Sequence, residues 1–361
     1  MVEDSMIDSK FWQGKRVFLT GHTGFKGGWL AIWLSSMGAI VKGYALSPST
    51  NPSLFEIAGL SNIVESDIND IRSYEKLASS MLAFSPEIIF HMAAQPLVRA
   101  SYKNPLETYE INVMGTANLL EAARYCPSVR SIVNVTTDKC YENNEWVWGY
   151  KESDPMGGKD PYSSSKGCAE LVTAAYRESF LKDSSVGVAT ARAGNVIGGG
   201  DWAEDRLIPD ILKAFDSKSP VLVRNPKSTR PWQHVLEPLS GYIILAQQLY
   251  DDPIEFSGGW NFGPYEYDVK PVDWILTYMT ELWGDAAWQL DLADNVHEAR
   301  LLKLDISKAS AILNWSPTWS LAATLEKIIN WHKLWLLKAD MHAACLDEIS
   351  EFTKDMKRGN S

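Results

Sequence analysis

The chain has 361 residues, 45% of them hydrophobic and 22% charged, and a formal net charge of −11. That balance describes a globular chain with a sizeable core and argues against binding to nucleic acid or to an anionic membrane surface. Four cysteines without CxxC spacing and six histidines without an HExxH pattern supply neither a disulfide framework nor a metal site, and fit a reducing, cytoplasmic setting. No apolar run approaches the length of a membrane span, and the acidic start (Glu3, Asp4, Asp8) lacks the apolar stretch of a signal peptide. Fifteen tryptophans suit stacking on rings, but most are expected in the core or between lobes.

In chain order, residues 15–20 read as a buried strand that runs into Gly21-His22-Thr23-Gly24-Phe25-Lys26-Gly27, and residues 29–37 as the helix that follows. Glycines at this GxxGxxG spacing permit a tight turn, and the helix start offers unpaired N–H groups to a pyrophosphate. Further strands are predicted at 40–45, 62–65, 87–91 and 131–135, with helices at 73–84 and 107–125. Such alternation predicts an α/β chain with a Rossmann-type doubly wound parallel sheet, and ligands beyond the carboxyl ends of its strands. The second strand ends Tyr44-Ala45-Leu46-Ser47, with neither the acid nor the arginine that would choose between the two nicotinamide dinucleotides. Asp67, two positions past the third strand, is placed to meet an adenine or to serve as a turn aspartate.

The fifth strand ends in Thr136-Thr137-Asp138-Lys139, and a polar, aromatic loop at 142–160 leads to Tyr162-Ser163-Ser164-Ser165-Lys166 at a helix start. Tyrosine and lysine four residues apart share a helix face, so the ammonium can favour the phenolate. After a sixth strand at 185–192 the alternation loosens, and a smaller C-terminal α/β substrate-binding lobe is expected. The nucleotide domain then covers 12–195, with 232–264 and 320–337 packing back on it; the lobe takes 196–231 and 265–319. Within these, a helix is predicted near 207–215, a sheet strand at 258–263 and a helix at 322–337. Residues 338–361 read as a polar tail.

With GxxGxxG, the strand-end Thr-Asp and the Tyr162/Lys166 pair in order, the chain resembles the extended short-chain dehydrogenase/reductase family over residues 15–332. Supporting matches are His91-Met92-Ala93-Ala94-Gln95, Asn112-Val113-Met114-Gly115-Thr116, Arg192-Ala193-Gly194-Asn195-Val196 and Leu313-Asn314-Trp315-Ser316-Pro317. Thr137-Asp138 followed by a third polar residue resembles the nucleotide-sugar 4,6-dehydratases. Lys139 stands where the common members carry Glu, and with the cofactor loop it looks most like the branch that acts on CDP-glucose.

The resemblance implies C4 oxidation, loss of water across C5–C6 and hydride return to C6, with NAD retained throughout. Gly21, Thr23, Gly24, Phe25, Lys26, Gly27, Asp67, Ile68, Ala93, Ala94, Gln95, Asn112 and Thr136 would hold NAD, with Tyr162 and Lys166. Tyr162 would take the C4 hydroxyl proton, Thr137 would bond the C4 oxygen, and Asp138 would be the acid at C6. Lys139 would act either as a neutral base at C5 or as a charged helper. Asn195, Arg206, Arg230 and Arg300 would meet the substrate diphosphate. The helices at 107–125 and 162–180 would pair in a homodimer, possibly a dimer of dimers, in a cytoplasmic enzyme of deoxysugar (O-antigen type) synthesis. Two alternatives stand: a 4-epimerase or dehydratase of another nucleotide sugar, and a non-catalytic dinucleotide sensor. The base specificity has no spacing rule that locates it.

Overall fold

The computed structural model describes residues 7–182, 184–291 and 301–359. Arg16–Thr20 (β1), Phe25–Ser36 (α1), Ile40–Ala45 (β2), Glu65–Ile68 (β3), Tyr74–Phe84 (α2) and Ile88–His91 (β4) open the alternation. Gly115–Arg124 (α3), Ser131–Val135 (β5), Pro161–Tyr176 (α4) and Gly187–Ala193 (β6) continue it. Leu207–Asp216 (α5), Leu236–Asp251 (α6), Gly258–Phe262 (β7), Val272–Trp283 (α7), Leu321–Leu336 (α8) and Met341–Gly359 (α9) complete the chain. The seven strands form one parallel sheet in the order β7-β6-β5-β4-β1-β2-β3. Chain direction across the sheet reverses between β1 and β4, which opens a crevice at their carboxyl ends.

Burial explains the strand sequences. All positions of β4, β5 and β6 are buried, as strands covered on both faces require. On one face, α1 is buried from Gly27 to Leu34, so it is apolar all round rather than striped. Phe18, Tyr44, Leu77, Leu119, Leu120 and Ile132 fill the other face. A second core, built by α5, α7 and α8 around Ile211, Phe215, Ile275, Met279, Leu325 and Ile328, makes the smaller lobe.

Four expectations need correction. The third strand begins at Glu65, because Gly59 turns into the left-handed region (φ 61°) and residues Leu60–Asn62 close a tight 3-10 turn instead. Asp67 and Ile68 therefore lie in β3 and not after it. The helix at 107–125 is not continuous: a wider π-type turn at Glu110–Met114 interrupts it and swings Asn112 inward, a distortion common near functional sites. The helix at 322–337, α8, packs largely into the lobe core, with Trp331 reaching the main one. The residues after 340 form α9, whose Met341, Cys345, Ile349, Phe352 and Met356 make one apolar stripe in the main core.

Candidate active site

The glycine turn fits its place because side chains would not. Gly21 adopts φ 80°, and a Cβ there would lie 2.8 Å from the Met92 and Ala93 backbone; at Gly27 it would lie 2.1 Å from the Gly21 carbonyl oxygen. Gly24 is the exposed N-cap of α1 and offers no side-chain cap, so the first-turn N–H groups of Phe25, Lys26 and Gly27 face the crevice. Thr20 Oγ1 accepts from the N–H groups of Met92 (3.0 Å) and Ala93 (3.1 Å), which fixes Ala93, Ala94 and Gln95 beside the turn. An uncapped helix start on a turn whose glycines let the backbone pack this tightly suits a dinucleotide pyrophosphate.

Three side chains expected to reach that ligand also bond within the protein. Thr23 Oγ1 donates to the Leu46 carbonyl at 2.8 Å and holds the end of β2. Asp67 accepts from Ser80 Oγ at 2.6 Å and from the Asn69 amide. Asn112 accepts from Gln95 N–H at 2.8 Å and donates to the Gln95 carbonyl and to Ser165 Oγ, tying the crevice wall to α4. Thr136 likewise gives its hydroxyl to Glu170.

At the end of β5, Thr137 Oγ1 donates to Asp138 Oδ1 at 3.0 Å. Asp138 is 2% exposed, and its Oδ2 has no hydrogen-bond partner among the described residues, which marks a place for a polar ligand group. Burial pushes its carboxyl up, against the opposing pull of Lys139, the Thr137 hydrogen bond and Arg230. Lys139 sits half-buried on the next position of the same 3-10 turn.

α4 is started by Asp160, whose carboxylate accepts from Ser163 N–H at 2.9 Å, with Pro161 in the first turn. That cap sets Tyr162 and Lys166 facing the β5 end, both buried. Lys166 Nζ donates to the Val135 carbonyl at 3.2 Å. Burial brings Lys166 down to about 8, with Glu170 opposing. The phenol departs from the sequence reading: burial pushes Tyr162 up to about 12, and the Thr137 hydrogen bond only partly offsets it. In the ligand-free chain, desolvation outweighs any help from the lysine. Burial, then Lys166 and Arg206, also bring Lys26 down to about 7, with Asp138 opposing, so this first-turn lysine of α1 shares the field of the reacting groups.

From the lobe, Arg206 caps α5 and pairs with Asp201 at 2.8 Å. Arg230 is buried, donates to the Thr229 carbonyl at 3.0 Å and acts on Asp138. Asn195 stands half-buried just past β6, its carbonyl accepting from Gln233 N–H. Arg300 lies outside the described residues. The 142–160 loop is fastened, not free: Tyr150 N–H donates to the Lys303 carbonyl at 3.0 Å, and Asp305 N–H to the Tyr150 carbonyl at 2.9 Å. Sequence reasoning missed Glu170 and Arg192, a buried pair behind the site at 2.8 Å. The available signal was the i, i+4 spacing of Glu170 from Lys166.

The model of the family described as GDP-mannose 4,6 dehydratase matches residues 18–261. A CDP-glucose 4,6-dehydratase of Salmonella typhimurium is 59% identical over 353 residues, covering 96% of this chain and 98% of that protein. Among solved structures, an epimerase of Methanothermobacter thermautotrophicus superposes with a TM-score of 0.79 at 21% identity, covering 94% of this chain and 98% of that one. A dTDP-glucose 4,6-dehydratase of Bacillus anthracis, solved with NAD, gives 0.73 at 19% identity over 89% of this chain and 97% of its own. Those two likenesses are of fold.

Proposed function

The chain belongs to the GDP-mannose 4,6-dehydratase family, and on that footing we propose that it converts CDP-glucose to CDP-4-keto-6-deoxy-glucose with a retained NAD. The observation that carries the reading is Asp138: a buried carboxyl kept up by desolvation, beside Thr137, with one oxygen unpartnered among the described residues. An epimerase needs no such acid, and a dinucleotide sensor needs neither it nor Tyr162 and Lys166.

When bound, NAD supplies the acceptor for the C4 hydride and its donor at C6. Gly21, Gly24 and Gly27 let the backbone close on the pyrophosphate, and the α1 start favours its charge. Tyr162 takes the C4 hydroxyl proton, with Thr137 bonding the oxygen and the Lys166 charge favouring the phenolate. Asp138, whose carboxyl is pushed up by burial, gives its proton to the departing C6 hydroxyl. Acid and base must then flank one C–C bond, and Lys139, next to Asp138 on the same turn, serves there either as a neutral base for the C5 proton or as a charged helper. Arg206 and Arg230 meet the diphosphate from the lobe, with Asn195 beside them. Arg300 is kept as a further candidate on resemblance alone. Exposed Leu106, Met114, Leu171 and Phe180, on the segments around α3 and α4, support pairing of two copies there. The setting we assign is cytoplasmic deoxysugar synthesis of the O-antigen type.

Mass spectrometry after incubation with NAD and CDP-, dTDP- or UDP-glucose tests the reading. Loss of one water from CDP-glucose is expected, and silence with all three removes it.

A further inference from the structure

Tyr162, Lys166 and Glu170 follow one another at four-residue spacing, so they share a face of α4. Only the first two have a role in the chemistry above. Glu170 is 5% exposed, and both its oxygens are saturated. Oε1 accepts from Thr136 Oγ1 and from Arg192 Nε at 2.9 Å; Oε2 accepts from Thr190 Oγ1 at 2.6 Å and Arg192 Nη2 at 2.8 Å. Arg192 Nη1 then donates to the Tyr141 hydroxyl at 2.7 Å and to the Glu152 carbonyl at 3.1 Å. The Tyr141 hydroxyl donates to Asn261 Oδ1 at 2.7 Å, and Asn261 Nδ2 donates to the carbonyls of Tyr150 (2.8 Å) and Asp305 (3.1 Å).

Thr136 and Tyr141 bracket the segment Thr137-Asp138-Lys139. One buried ion pair thus grips both ends of the elimination residues, while its carboxylate stands on the helix that carries Tyr162 and Lys166. Buried pairs of this kind add little net stability over an apolar replacement, but a fully satisfied network fixes geometry. That distinction matters where one sugar must be oxidised at C4 and then lose water across C5–C6 without leaving.

We propose that Glu170 and Arg192 are positioning residues that hold the oxidising pair on α4 in register with the elimination residues after β5. The inference rests on the dehydratase reading. Tyr141→Phe cuts one grip and leaves the ion pair intact. Reduced-nicotinamide absorbance reports C4 oxidation, rapid quench with mass spectrometry reports water loss, and the melting temperature of the ligand-free protein is read alongside. In this variant water loss should fall by up to about 10²-fold, the penalty of a small misplacement, while oxidation falls far less and reduced cofactor accumulates. Equal losses in the two half-reactions mark a purely structural role and overturn the inference, as does no change in either. Wild-type protein that removes no water from CDP-glucose overturns the dehydratase reading and the inference with it.

Discussion

Thr137 gives its hydroxyl to one oxygen of Asp138 at 3.0 Å, while the other oxygen is buried without a partner among the described residues. Desolvation pushes a carboxyl so placed up towards its protonated form, and it has a free edge from which to deliver a proton. Asp138→Asn keeps the shape but has no acidic proton. Water loss should slow by about 10²–10⁴-fold, the usual worth of a general acid, with C4 oxidation still visible as reduced cofactor. In the unmodified protein water loss should decline as pH rises through the raised Asp138 pKa, and the variant should lose that dependence. Rapid-quench product analysis across pH checks both.

Lys139 is the half-buried neighbour on the same turn, and it pulls on the Asp138 carboxyl. If it removes the C5 proton, Lys139→Ala should slow solvent deuterium entry at C5 by about 10²-fold or more. Exchange at the normal rate, followed by slow water loss, would reassign Lys139 to an electrostatic role. Proton NMR of the sugar ring in deuterated buffer makes the distinction.

Lys166 carries a cost that its position makes measurable. Its folded value, about 8, lies below the ordinary 10.5, so the buried ammonium opposes folding while it is charged. That opposition is full below about 8 and fades as pH climbs towards the unfolded value of 10.5. Lys166→Met should therefore stabilise the ligand-free protein by about 1–2 kcal/mol near neutral pH, after allowing for the lost bond to Val135. The gain should shrink in alkali, and substrate-dependent reduction of the cofactor should disappear. Thermal unfolding at two pH values, with the absorbance assay, tests this trade-off.

Phe352 on α9 is fully buried, with its ring edge-on to Trp33 (5.8 Å) and Trp319 (5.0 Å). Phe352→Ala should cost about 3–5 kcal/mol. Chemical denaturation measures the cost, and a change near zero would mean that α9 does not seal the α1 face.

The sheet was legible because its strands are short apolar runs with glycine or polar breaks: β2 and β5 fall where periodicity and burial place them. Misreadings arose where tertiary contacts decide. Residues 62–65 look like a strand until the Gly59 turn is known, and α9 hides five core side chains in a stretch that is polar on average. The site divides the same way. Thr137, Asp138, Lys139, Tyr162 and Lys166 come together because strand end and helix start are adjacent in the fold. Thr23, Asp67 and Asn112 carry suitable groups and also bond to neighbours remote in sequence, contacts that no spacing rule shows. Glu170 was one helical turn from Lys166 in plain view, yet its partner Arg192 stands on β6, and only the parallel packing of β5 and β6 shows what the pair grips.

The most direct measurement follows a label. CDP-glucose carrying deuterium at C4 is incubated with the protein and NAD, and the product sugar is read by NMR and mass spectrometry. The dehydratase account predicts a 4-keto-6-deoxy sugar with that deuterium at C6 and a solvent-derived hydrogen at C5. Deuterium found back at C4 of an intact or inverted sugar would contradict it.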